Sequence, residues 1–178
     1  MLIVSIVAAA IAIAVAIAVV RVFNRLIAAR NACGSARSGI DVQLEKRHDL
    51  VPNLTRAVEG YSVHERTTLV AVTEARAAAV AALGTNVSPR AEERLEQTLA
   101  ALFARVESYP ALKASDNFLH LQRTLTEIEE QLAAARRAFN AHALVLNNLT
   151  EQFPTSIVAQ LASIGRIEFF AASEQVRG

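Results

Sequence analysis

The sequence predicts an all-α protein: an N-terminal transmembrane helix followed by an antiparallel bundle of long helices, about four in number. Three observations carry that prediction. Leu2–Val20 is an unbroken apolar run whose only polar member is Ser5. Beyond it, apolar residues recur at intervals of three and four, the spacing of one helix face. No segment after the run alternates as a strand would, and six glycines with four prolines supply little turn chemistry for hairpins.

Taken as a helix, Leu2–Val20 is roughly 28 Å long at about 1.5 Å per residue, close to the ~30 Å hydrocarbon core of a bilayer. Val22 and Phe23 extend it, with Arg21 reaching back to the headgroups. The span is expected over residues 1–23. A cleaved signal peptide would need a basic start, a shorter core and a small-x-small cleavage site, whereas here the core runs straight into Arg21-Val-Phe-Asn24. Residues 24–39 form a basic juxtamembrane segment. Arg21, Arg25, Arg30 and Arg37 flank the membrane, and no acid appears before Asp41. The positive-inside rule then directs the C-terminal domain to the cytoplasm. The single cysteine, Cys33, cannot form an internal disulfide and makes no demand for an oxidising compartment. Within the span, Ala8, Ala12 and Ala16 stand four apart, which reads either as a small-residue face on which transmembrane helices approach closely or simply as the abundance of alanine in this run.

The bundle is expected over residues 40–165, with a polar tail at 166–178. Ile40 to Leu83 reads as helix, with Pro52 inside the pattern as an expected kink. Gly34 and Gly39 either break or only soften the helix before it. Leu83-Gly84 closes this segment and Ser88-Pro89 opens the next, with Ser88 as N-cap and Pro89 in the first turn. That second helix carries Leu95, Leu99, Leu102, Phe103 and Val106 to about Ser108, where Tyr109-Pro110 turns the chain. The third helix is the most regular: Phe118, Leu121, Leu125, Ile128, Leu132, Ala135, Phe139, His142, Leu146, Leu149 and Phe153 alternate steps of three and four, a seam suited to shallow-angle packing. Phe153-Pro154 ends it, and Ser156–Ser163 forms a short closing helix. The first and third helices read as about twice the length of the second, so a bundle of equal helices is excluded.

Several ordered stretches carry a resemblance: Asp41-Val-Gln-Leu-Glu-Lys-Arg-His-Asp-Leu-Val-Pro-Asn-Leu54, Val58-Glu-Gly-Tyr-Ser-Val-His-Glu65, Thr73-Glu-Ala-Arg76, Glu107-Ser-Tyr-Pro-Ala-Leu-Lys-Ala114, Asn117-Phe-Leu-His-Leu-Gln122, Ala135-Arg-Arg-Ala-Phe-Asn140 and Phe153-Pro154. Together, from about Arg25 to the C-terminal helix, they resemble the LemA family. The resemblance implies a bacterial, single-pass protein of the cytoplasmic (inner) membrane with a helical bundle. It further implies a role beside membrane proteases or in envelope and organelle biogenesis. The chain departs from the pattern at Phe139 and Leu146, where the family usually has tyrosine, and at Glu127-Ile-Glu129-Glu130.

Arg47, Glu65 and Arg76 continue the apolar ladder of the first helical segment and so point at the bundle interior, where charge must be paired. Glu127, Glu129 and Arg136 on the third helix are the expected partners, with Asn140 and Asn147, seven apart on one face, adding amide hydrogen bonds. Two readings follow: a polar network that fixes helix register, or a polar groove that recognises a partner. The four histidines, His48, His64, His120 and His142, share no three- or four-residue spacing, and His64-Glu65 lacks the second histidine of the zinc-peptidase pattern. No catalytic, metal or cofactor site is therefore expected. His142, on the seam, reads as a hydrogen-bonded core histidine. A net charge of +1 without a basic face argues against nucleic acid, and no site for a small-molecule substrate is apparent. The expected function is a non-enzymatic scaffold or adaptor at the membrane, a homo-oligomer with a possible membrane-protein partner. The alternative is an accessory subunit of a membrane enzyme such as an integral-membrane protease.

Overall fold

The computed structural model describes residues 1–61, 66–83 and 89–170. Among them are six helices and no strand: α1 (Leu2–Glu59), α2 (Arg66–Ala82), α3 (Pro89–Val106), α4 (Pro110–Lys113), α5 (Asp116–Glu151) and α6 (Thr155–Leu161). The fold is all-α, a long apolar N-terminal helix leading into a helical bundle.

α1 runs through every position that threatened to interrupt it. Gly34 and Gly39 lie on an open face where an added Cβ would meet nothing, and the Gly34 carbonyl accepts a bond from Ser38 Oγ at 3.3 Å. Each glycine costs about 1 kcal/mol of helix propensity, too little to end a helix this long. Pro52 is also internal to α1. The helix stops instead at Glu59, before Gly60 and Tyr61, so the segment expected to run from Ile40 to Leu83 divides at Gly60 and not at the proline. Residues 64 and 65 and the expected stop and N-cap at Gly84 and Ser88 lie outside the described residues. With that division, α2 and α3 match at 17 and 18 residues, while α1 at 58 and α5 at 36 remain far longer.

The chain forms two compact units. One is residues 39–134, held by an apolar core that includes Leu54, Val72, Leu95, Leu102, Leu112 and Phe118, all nearly or fully buried. α2 and α3 pack antiparallel, Thr67, Thr68 and Ala71 at the start of α2 facing Thr98 and Ala101 late in α3. Phe103 and Phe118 meet with ring centroids 5.9 Å apart. Truncating a leucine as enclosed as Leu102 to alanine costs about 2–5 kcal/mol.

The other unit joins residues 1–38 to 135–178. Leu26 and Cys33 of α1 bury with Leu146 and Leu149 of α5, Ala159 of α6 and Ile164. Residues 2–20 stand outside this core: the most apolar 18-residue window has a mean hydropathy of 3.1 and none of it is buried. It is long and apolar enough to cross a membrane.

α5 is continuous, but its buried face does not keep the seven-residue repeat. Phe118 to Phe139 follow it, and then Ala143, Leu146 and Leu149 are buried while His142 and Phe153 are exposed. A straight α-helix drifts by about 20° per heptad against a 3.5 repeat, so the stripe takes an extra step of four at Phe139–Ala143. His142 is therefore a surface residue, not the core histidine expected from the seam. α6 ends in a Schellman arrangement: Ile164 N–H bonds Ala159 O at 2.9 Å and Ser163 N–H bonds Gln160 O at 3.1 Å, with Ser163 left-handed at φ 53°.

Candidate functional site

Pro52 creates the site. A proline has no N–H, so the carbonyl four residues earlier, that of His48, loses its helical donor. Arg76 of α2 supplies a replacement, its Nε donating to His48 O at 2.6 Å. The proline thus converts a backbone group of α1 into an acceptor for a charged side chain from another helix.

The residues beside that carbonyl form a buried ionic centre in unit 39–134. The Arg47 side chain is 1% exposed, and its guanidinium pairs with Glu92 of α3 through Nη2 and with Glu129 of α5 through Nη1 at 2.9 Å. His48 Nε2 lies 3.0 Å from the second Glu92 oxygen. An ionised carboxylate only accepts, so Nε2 carries the proton and donates. Burial disfavours charge on Glu92, but the His48 hydrogen bond and the Arg47 charge outweigh it and hold the carboxyl below its ordinary range. Burial likewise disfavours charge on Arg47, and Glu129 and then Glu92 outweigh it, so the guanidinium stays charged. Neither group is poised to exchange a proton near neutral pH. What the arrangement does is tie α1, α2, α3 and α5 together through directional bonds. A guanidinium with two carboxylates tolerates no slip by a helical turn.

The remaining sequence-predicted residues separate. Glu127 is exposed, on an open groove of about 410 Å³ with Lys46, Asp49, Asn53 and Gln131. Glu65 lies outside the described residues. Arg136 is half-buried in the other unit. Asn140 and Asn147 are also in that unit, and they hold backbone rather than charge. Asn147 Nδ2 donates to Ile167 O at 3.0 Å while its Oδ1 accepts from Ile167 N–H at 2.9 Å. Asn140 does the same to Phe170, at 3.1 and 2.9 Å. The start of the region expected as a polar tail is thus bound along α5. Arg21, Arg25 and Arg30 are exposed, but Arg37 sits 4.8 Å over the Phe170 ring, whose edge meets Phe139 at 5.2 Å between centroids. Ala8, Ala12 and Ala16 lie on the uncovered apolar stretch of α1. Cys33 is buried, and burial pushes its thiol pKa up, away from reactivity.

Sequence reasoning missed Glu92 and His48. Both had a signal. Glu92 begins the three-four ladder that continues through Leu95, Leu99, Leu102 and Val106, and His48 stands four residues after Leu44 and three before Val51.

A model of the LemA family matches residues 36–177. The chain belongs to the LemA family. Among its relatives is the protein LemA of Metamycoplasma hominis, 27% identical over 152 residues, covering 85% of this chain and 69% of that protein. The magnetosome protein MamQ of Magnetospirillum gryphiswaldense is 22% identical over 174 residues, covering 83% of this chain and 64% of its own length. MamQ 1 of Paramagnetospirillum magneticum matches with the same identity and coverage. The chain thus spans less than two-thirds of the magnetosome relatives. The ionic centre of this LemA-family chain lies inside the matched region, as do both asparagine contacts. The apolar start of α1 precedes it. Together, the family and the uncovered apolar helix make this a membrane-associated helical protein.

Proposed function

We propose that this LemA-family protein is a membrane-anchored scaffold or adaptor that self-associates and organises protein partners or the membrane surface, with its bundle in the cytoplasm at the inner membrane. The observation that supports this reading most is where its polar interior is spent. The charged side chains at the centre of unit 39–134 are bonded to one another and to backbone, which fixes helix positions, while 19 residues of α1 carry an apolar surface that none of the described residues covers. That division suits a protein whose work is placement. The magnetosome relatives are named for an assembled structure and not for a reaction, which agrees with it. Ala8, Ala12 and Ala16, four apart on the uncovered helix, supply a face on which a second span would pack.

The test is the mass of the full-length protein gently extracted from its membrane, beside a version lacking residues 1–22. A discrete, anchor-dependent homo-oligomer is expected. A monomer, or a mass explained only by a co-purifying protein, would replace this reading with that of an accessory subunit of a membrane enzyme. For orientation, a reporter enzyme that works only in the periplasm, fused after Gly178, is expected to stay silent, and strong activity would reverse the cytoplasmic assignment.

A further inference from the structure

We propose that the C-terminal half of α5 is a peptide-reading groove, and that the partner it fits is residues 164–170 of a second copy of this chain, exchanged for its own. The inference rests on the self-association reading above and names the contact through which it occurs. Its basis is the way the segment is held. Asn147 and Asn140 each make two bonds to the backbone of a single residue, Ile167 and Phe170 respectively, donating to its carbonyl and accepting from its N–H. Two asparagines seven apart on a helix are about 10.5 Å apart along its axis. Three residues of an extended chain with a three-residue repeat advance about 9 Å. The spacing of the asparagines and the repeat of the segment therefore match to within about 1 Å, and the pairs run in opposite directions, 147 with 167 and 140 with 170.

Backbone contacts of this kind would hold any extended chain, and side chains then supply selection. Every third residue turns inward: Ile164 is buried, Ile167 is half-buried, and Phe170 lies between the Arg37 guanidinium and the Phe139 ring edge. Phe169, between them, is 49% exposed and takes no part. The groove thus selects an extended peptide with aliphatic residues three apart and an aromatic three further on. The chain's own segment meets that requirement, and so does the same segment of another copy.

Exchange between copies leaves each of these contacts unchanged, because the donor, acceptor and ring partners are identical whichever chain supplies the segment. What shifts the balance is the connection and the local concentration. The connection is a pivot at Ser163, a non-glycine residue held left-handed where α6 ends. A membrane anchor supplies the concentration by confining copies to one surface at one height.

The experiment uses two full-length copies with different tags, both carrying Cys33→Ser, co-expressed in one membrane. One carries Ala141→Cys, exposed beside Asn140, and the other Phe169→Cys, outside the inward contacts of the segment, so no single chain holds both thiols. A short bismaleimide is expected to give a covalent dimer bearing both tags. Adding Asn140→Ala and Asn147→Ala to the first copy is expected to lower its yield several-fold. Absence of the mixed dimer, with internal cross-linking intact in a single copy that carries both substitutions, would overturn exchange. Weighing the same preparation before cross-linking separates the two failures: an oligomer would leave self-association standing on some other contact, and a monomer would remove both. A second measurement leaves the protein unaltered. A synthetic peptide of residues 162–170 with a photo-reactive group at position 170 is expected to label the unsubstituted chain near Phe139, and no labelling would count against the groove itself.

Discussion

Pro52 and Arg76 should be energetically coupled although they lie on different helices, and a double-mutant cycle measures that coupling. Arg76 Nε donates to the His48 carbonyl, which lacks its helical donor only because residue 52 is proline. Arg76→Met therefore leaves that carbonyl without its charged donor. Hydrogen bonds to charged groups are worth about 1.5–3 kcal/mol, and Arg76 is only half-buried, so a loss near 1.5 kcal/mol is expected. In a Pro52→Ala background the restored N–H at 52 bonds the same carbonyl, and Arg76→Met should then cost about 0.5 kcal/mol, the residue of its packing. The coupling is thus about 1 kcal/mol. It is read from urea unfolding of the four full-length proteins in detergent, followed by far-ultraviolet circular dichroism. Equal costs of Arg76→Met in both backgrounds, within about 0.3 kcal/mol, would refute the idea that the arginine replaces a helical donor.

Three further outcomes are expected. Glu92→Gln leaves Arg47 buried with one carboxylate and should destabilise unit 39–134 by about 3 kcal/mol in the same urea unfolding; Arg47→Ala should cost a similar amount, and an unchanged melting temperature would place the charge outside the interior. Because Glu92 titrates lower folded than unfolded, its contribution is present above the ordinary carboxylate range and is lost as pH falls through the lower folded value, so Glu92→Gln should flatten the decline of Tm in acid, and parallel curves would contradict the assignment. Ser163→Gly relieves the left-handed strain of a side-chain-bearing residue and should stabilise the chain by about 0.5–1 kcal/mol, with a lower Tm counting against the Schellman geometry as the source of that strain.

The fold was legible in the sequence because its main signals are long and one-dimensional. Nineteen nearly uninterrupted apolar residues and a stripe that repeats over Phe118–Phe139 need no tertiary knowledge to read. The helix break was harder. Pro52 carries the stronger propensity penalty and Gly60 the weaker, yet the chain passes the first and stops at the second, because Arg76, 28 residues after His48, supplies what the proline removes. That repair is a tertiary fact. Of the candidate site, Arg47 and Arg76 were legible as charges on an apolar ladder, and Glu129 as an expected partner on the third helix. Glu92 was hidden by its place four residues into a helix that opens with acid and base side by side, where a solvated carboxylate is the ordinary expectation. Asn140 and Asn147 share a helix face, but nothing in their own surroundings tells that a segment 20 to 30 residues later lies along it.

The division of the chain has a consequence for how it is made. Residues 39–134 are contiguous and build their core from neighbours in sequence, whereas the other unit must bring residues 1–38 to residues 135–178. Contacts of such separation carry a somewhat larger loop-closure cost than local ones and form later. During synthesis, the apolar start of α1 emerges first, and Leu26 and Cys33 leave the ribosome long before Leu146, Leu149 and Ala159 exist to cover them. The nascent chain thus reaches the membrane with one unit ready to close and the other necessarily open. Cys33 reports the difference: its thiol is reachable in a chain stalled before Leu146 and shielded once the last 40 or so residues have returned to it.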